Sequence, residues 1–83
     1  MTLAFSAAAY RQLSRLEKNI QKRIVEKLNF VCAQEEPLRF AEKLTDARFG
    51  EWRFRAGDYR ALFDVEGQRI TILAIGHRKE IYR

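Results

Sequence analysis

The chain has 83 residues, a formal net charge of +5 at pH 7 and a single cysteine. A chain this short is read as one domain, residues 1–83, burying only about 60% of the surface it exposes when unfolded. One cysteine excludes an internal disulfide, and the positive charge points to a polyanionic or acidic partner without separating RNA, DNA and acidic protein.

The opening "MTLAFSAAAY" has no basic residues before it and stops at Arg11. It is too short for a membrane span and wrongly flanked for a signal peptide, so a soluble, cytoplasmic protein is expected. Within it, Thr2 to Phe5 reads as a short strand. Ser6 follows, able to accept a hydrogen bond from the first free N–H groups of a helix. Phe5 and Tyr10 stand at the positions of a hydrophobic staple, and Ala9, Leu13 and Leu16 continue a buried stripe. Glu17, Lys18 and Asn19 then form a polar turn, with Asn19 read as the cap of a second helix.

In that helix Ile20, Ile24, Leu28 and Val31 follow spacings of four, four and three, which puts them on one face. Cys32, four residues after Leu28, reads as a buried, inert thiol. The two helices are expected to form a hairpin with facing stripes. Pro37 ends the pattern because it lacks an N–H and biases Glu36 away from helix; "PLRFAEKL" adds at most a turn.

From Arg48 the period changes to two. Trp52 and Phe54 alternate with Arg53 and Arg55, and Tyr59, Ala61, Phe63 and Val65 alternate with Arg60, Leu62 and Asp64. "RITILAIG" is apolar on both faces and reads as an interior strand. The fold class is therefore α+β: an N-terminal strand and a helical hairpin packed on a small antiparallel sheet.

Two tight turns set the expected register. A Glu66–Gly67 loop would put Phe63 opposite Ile70, Ala61 opposite Ile72 and Asp64 opposite Arg69. A Gly57–Asp58 loop, with Gly first as a type II′ turn requires, puts Trp52 opposite Phe63 and Phe54 opposite Ala61. It also puts Arg55 directly opposite Arg60, with Arg53 on the same face. Like charges in that position destabilise a sheet.

Either an anion such as a phosphate sits between these guanidinium groups, or they splay into water over a solvated face. The distribution of basic residues bears on this. Up to Ala47 there are four Lys and four Arg; from Arg48 onward there are seven Arg and one Lys. Arginine's planar fork matches phosphate bidentately, so the second half is better suited to gripping phosphates.

The strand, helix, helix, strands order, together with "EWRFRAGDYRALFDV" and the terminal "GHRKEIYR", resembles the RelE/ParE superfamily of toxin–antitoxin toxins, its RelE branch most. The resemblance spans essentially the whole chain. It implies a metal- and cofactor-free, ribosome-dependent endoribonuclease that cuts mRNA in the A site, inhibits translation and is silenced by a cognate antitoxin in a hetero-oligomer. By the same resemblance Arg60 in "GDYR" matches a phosphate-binding arginine, Arg78 in "GHR" a catalytic arginine and Tyr82 the C-terminal tyrosine. Arg53 and Arg55 match phosphate-binding positions that are often lysines. Some relatives carry a further helix after the tyrosine, so the tail here is expected to set only on binding RNA, ribosome or antitoxin.

Cleavage of this kind needs a base for the 2′-hydroxyl proton, positive charge at the phosphate and an acid for the departing 5′-oxygen. Arginine scarcely deprotonates, which disfavours it as the base. Tyr82 is the preferred base, because guanidinium neighbours favour a phenolate. His77, the one histidine, is the reserve acid or base, or else a turn residue at a strand end. No cluster of His, Cys, Asp or Glu has metal-ligand spacing. Two other readings stand: a ParE-like inhibitor of DNA gyrase, and a toxin-like domain that binds an acidic peptide without catalysis.

Overall fold

The computed structural model describes residues 1–82; Arg83, the last residue of the terminal motif, lies outside them. The elements run β1 (Thr2–Phe5), α1 (Ala7–Ser14), α2 (Lys18–Cys32), a 3₁₀ turn (Pro37–Phe40), β2 (Glu42–Lys43), a second 3₁₀ turn (Ala47–Phe49), β3 (Trp52–Ala56), β4 (Tyr59–Glu66) and β5 (Arg69–His77). One sheet has the order β1-β5-β4-β3-β2, so β4 and β5 are interior strands. The α+β class is as expected, but the sheet is mixed: β1 adds to β5 in parallel, Leu3 beside Ile70 and Phe5 beside Ile72. Among the described residues, no helix is long and apolar enough to cross a membrane.

Side chains of the β1–α1 segment complete the hydrogen bonding of β5 where β1 ends. Ser6 Oγ accepts from Ala9 N at 3.0 Å, capping α1, and donates to Leu73 O at 3.2 Å. Gln12 Oε1 accepts from Ile75 N at 2.8 Å. Two groups on the open edge of β5 are thus satisfied by side chains in place of a neighbouring strand.

Tyr10 does not form the expected staple: it is 65% exposed, and Ala9 and Leu13 carry the buried face of α1. In α2, Ile24, Leu28, Val31 and Cys32 are buried, as the spacing predicts. Asn19 does not cap it. The helix begins at Lys18 after Glu17, and the Asn19 amide only donates to the Glu17 carboxylate. Both helices lie on the sheet, α1 over β5 and β1, α2 over β1 and β3. Burial pushes the Cys32 thiol upward in pKa. The amino terminus donates to Cys32 O at 3.0 Å, a favourable place for a cation at the C-terminal end of α2.

The β3–β4 register is the expected one, with Trp52, Phe54 and Arg55 opposite Phe63, Ala61 and Arg60. The β4–β5 loop differs. It is Gly67–Gln68, so Val65 faces Ile70 and Asp64 faces Thr71. A type II′ turn needs positive φ at its first residue, and Gly67 at +58° supplies it as Gly57 does at +62°. Arg69 pairs with Glu66 at 3.2 Å, and Asp64 accepts from Glu51 N at 2.8 Å. A bulge then carries the register from Phe63–Ile72 to Leu62–Ala74, leaving Leu73 unpaired across the ladder. It keeps Ile75 opposite Ala61 in the core. Phe54 and Phe63 stack there with ring centroids 4.2 Å apart.

Candidate functional site

Alternation along β3 and β4 puts Arg53, Arg55 and Arg60 on the sheet face away from the helices, while Phe54, Ala61 and Phe63 enter the core beneath the helices. Leu62 shares the arginine face and is still buried, at 1% exposure, which gives that face an apolar floor.

The arginines are not unpaired. Glu42 lies opposite Arg53 on β2 and accepts from its Nη2 at 2.9 Å; the same carboxylate pairs with Arg55. The Arg53 hydrogen bond, then the charges of Arg53, Arg55 and Arg60, hold the Glu42 carboxyl below its ordinary range. An anion does sit among the guanidinium groups, and it is the protein's own. Arg60 turns aside from Arg55: its Nη1 donates to Gly57 O and Tyr59 O, both at 2.9 Å. The expected repulsion is relieved by these two arrangements.

The tail is docked as far as Tyr82. Ile81 packs over Gly76, where an added Cβ would come within 3.1 Å of its Cδ1, a close approach that the absent side chain accommodates. Arg53 Nη1 donates to the Tyr82 hydroxyl at 2.8 Å, and the Tyr82 ring meets Phe49 edge-on with centroids 5.2 Å apart. These contacts replace the expectation of a tail that sets only on binding. Arg53 Nε is buried and has no partner among the described residues, so this guanidinium keeps an unused donor.

The structure brings Arg53, Arg55 and Tyr82 together and separates the other candidates. Arg60, the second residue of β4, is on the same face. Arg78 is tied to the Gly57–Asp58 turn: its N–H donates to Asp58 O at 2.8 Å, and its Nε lies 3.6 Å from Asp58 Oδ1. His77 faces Tyr59 across β4 and β5, with rings edge-on at 5.5 Å, whereas Arg60 faces Gly76. By alternation His77 is on the helix side of the sheet, and its Nδ1 accepts from Lys79 N. Among the described residues, no three His, Cys, Asp or Glu side chains gather as metal ligands.

Glu42 and Phe49 are the residues that sequence reasoning missed. Both sit in the irregular stretch between Pro37 and Trp52, where no period or tight turn sets a register.

A family model described as ParE toxin of type II toxin-antitoxin system, parDE, matches residues 3–82. The chain belongs to the RelE/ParE superfamily of type II toxin–antitoxin toxins. This toxin is 34% identical over 84 residues to toxin RelG of Mycobacterium tuberculosis, covering 99% of this chain and 95% of the relative. Its fold matches a chain in the crystal structure of the RelBE2 toxin–antitoxin complex of Mycobacterium tuberculosis. The TM-score is 0.77 at 32% identity, over 93% of this chain and 96% of that one. It also matches a chain of the RelB–RelE complex of Methanococcus jannaschii, with TM-score 0.68 at 25% identity, over 95% and 94% of the two chains.

Proposed function

We propose that this toxin is a ribosome-dependent endoribonuclease that cuts mRNA in the A site and is neutralised by a cognate antitoxin. The observation that supports this reading is the Tyr82 hydroxyl held on Arg53 beside Arg55 and Arg60. That 2.8 Å contact puts the phenol oxygen next to the cations assigned to the scissile phosphate. In the proposed reaction Tyr82 enters as its phenolate, whose oxygen takes the 2′-hydroxyl proton and later returns it to solvent; the 2′-oxygen forms a bond to phosphorus and the bond from phosphorus to the 5′-oxygen breaks. Arg53, Arg55 and Arg60 hold the phosphate and answer the charge of the pentavalent transition state. Arg78 stabilises the departing 5′-oxygen, which takes its proton from solvent. The products are a 2′,3′-cyclic phosphate and a 5′-hydroxyl.

The antitoxin as partner is supported by the two solved relatives, each a toxin–antitoxin complex. The test of the chemistry is primer extension on a translated message with and without ribosomes. Cuts that need ribosomes and vanish in Arg60→Ala support the reading. An intact message in a growth-arrested cell defeats it.

A second reading, gyrase inhibition without nuclease chemistry, draws on the family model's ParE description and on Glu42, which already neutralises part of the arginine face. It requires that purified toxin block supercoiling by gyrase while leaving translated mRNA whole.

A further inference from the structure

An open groove of about 530 Å³ runs between α2 and the β3–β4 turn, on the other side of the sheet edge from Glu42. Ile20, Ala56 and Tyr59 line it, and Arg23, Lys27 and Arg55 bring three cations to it. Arg23 and Lys27 are four residues apart on α2, one above the other on the same face. Among the described residues neither pairs with a carboxylate, unlike Arg53 and Arg55. The one carboxylate lining the groove, Asp58, has its Oδ1 3.6 Å from Arg78 Nε.

The groove is continuous with the arginine face through one side chain. Arg55 pairs with Glu42 on that face and also lines the groove. It can do both because β2 pairs only with Trp52 and Arg53, which leaves β3 as the edge of the sheet from Phe54 onward. Beyond Arg55, the other cations that line the groove are Lys27 and Arg23.

We infer that this groove is a second RNA-backbone subsite, in which Arg23 and Lys27 take phosphates of the strand flanking the one held at Arg53, Arg55 and Arg60. The inference rests on the nuclease reading for the identity of the strand. Its substrate class is single-stranded RNA long enough to span both surfaces, bound without base readout, since the cations address phosphates. An acidic protein segment is the competing occupant; the direct continuity with the arginine face favours RNA.

The test uses 2′-O-methyl oligoribonucleotides, which lack the attacking hydroxyl, so that binding is read apart from cleavage. Affinity is measured by fluorescence anisotropy against salt for strands of about 4 and about 16 nucleotides, the span of site sizes common in single-strand binders. The wild type is expected to favour the longer strand. Arg23→Gln with Lys27→Gln should remove that preference, reduce the salt slope by about 1.4, or about 0.7 per lost phosphate contact, and leave the short strand's affinity unchanged. Lys27→Glu should weaken the long strand further. Thermal melting of each variant shows whether it is folded.

A double variant that keeps the wild-type affinity and slope on the long strand overturns the inference. So does one that binds RNA normally but loses the antitoxin, which assigns the groove to an acidic protein. If the long strand binds through Arg23 and Lys27 while ribosome-bound message stays uncut, the nuclease reading falls and the subsite stands.

Discussion

Arg53 donates to the Tyr82 hydroxyl at 2.8 Å, tying the second residue of β3 to the tail. Tyr82→Phe removes that acceptor and the proposed base in one atom, while the ring keeps its edge-on contact with Phe49. Cleavage on ribosomes should fall by roughly 10²-fold or more, the usual scale of acid–base catalysis. Ribosome binding should change little, because the arginines are untouched. Single-turnover cleavage alongside ribosome pelleting separates the two effects. Equal loss of both would make Tyr82 a structural residue.

Glu42 pairs with both Arg53 and Arg55, the side chains that the nuclease reading assigns to the substrate phosphate. Glu42→Gln should therefore tighten binding of a non-cleavable RNA strand, by roughly two- to fivefold, the scale of one exposed charge pair. The pH dependence has a definite sign. A carboxyl lowered on folding contributes stability above its unfolded pKa, about 4.3, and loses it as pH falls through the folded value. Melting temperatures of wild type and Glu42→Gln should thus differ most near neutrality and converge as the pH drops below about 4.

How much of this could be read beforehand depends on how local the signal is. The β3–β4 hairpin was legible because Gly57 comes first in its loop and the aromatic residues alternate on either side; the Arg55–Arg60 pairing followed from that alone. In the next loop the same glycine-first rule, applied to Gly67, would have given the observed register. The parallel addition of β1 joins residues 2–5 to 69–72, and no tight turn or period links segments so far apart. The bulge at Leu73 serves the packing of Ile75, which no local pattern announces. Glu42 was hidden for a related reason. The stretch between it and Trp52 contains a 3₁₀ turn and no hairpin loop, so its pairing with Arg53 depends on tertiary packing.

Core and surface aromatics should respond very differently to truncation. Phe63 is fully buried between the rings of Trp52 and Phe54. Phe63→Ala should cost about 3–5 kcal/mol in urea unfolding. That is a large share of the roughly 4–12 kcal/mol expected for a chain of this size. Tyr10→Ala, at a site 65% exposed, should stay within about 0.5 kcal/mol. A cost above about 1 kcal/mol at Tyr10 would show a staple in solution after all.

Two glycines with positive φ should also be distinguishable. At Gly57, φ is +62° and an added Cβ meets nothing within 4 Å. Gly57→Ala should cost only the backbone strain, about 1–2 kcal/mol. At Gly50, φ is +106° and a Cβ would lie 3.1 Å from Leu73 Cδ1 and 3.3 Å from both Asp64 Oδ1 and Phe63 O. Gly50→Ala adds crowding to strain and should be clearly the more damaging of the two. Chemical denaturation of both variants under one set of conditions checks the order.

His77 provides the sharpest test of which group acts as the base. Its ring meets Tyr59 on the helix side of the sheet, and its Nδ1 already accepts from Lys79 N at 3.1 Å. Tyr82 and Arg53 meet on the opposite face. If Tyr82 takes the 2′-hydroxyl proton, His77→Ala should keep cleavage within roughly tenfold of wild type, well short of the 10²- to 10⁴-fold loss expected for an acid or base. Should His77→Ala abolish cutting while Tyr82→Phe leaves it whole, the fold and the reaction would stand. The proton would then have to be taken on the Tyr59 side, and the substrate strand would have to pass over the end of β5 instead of across the arginine face.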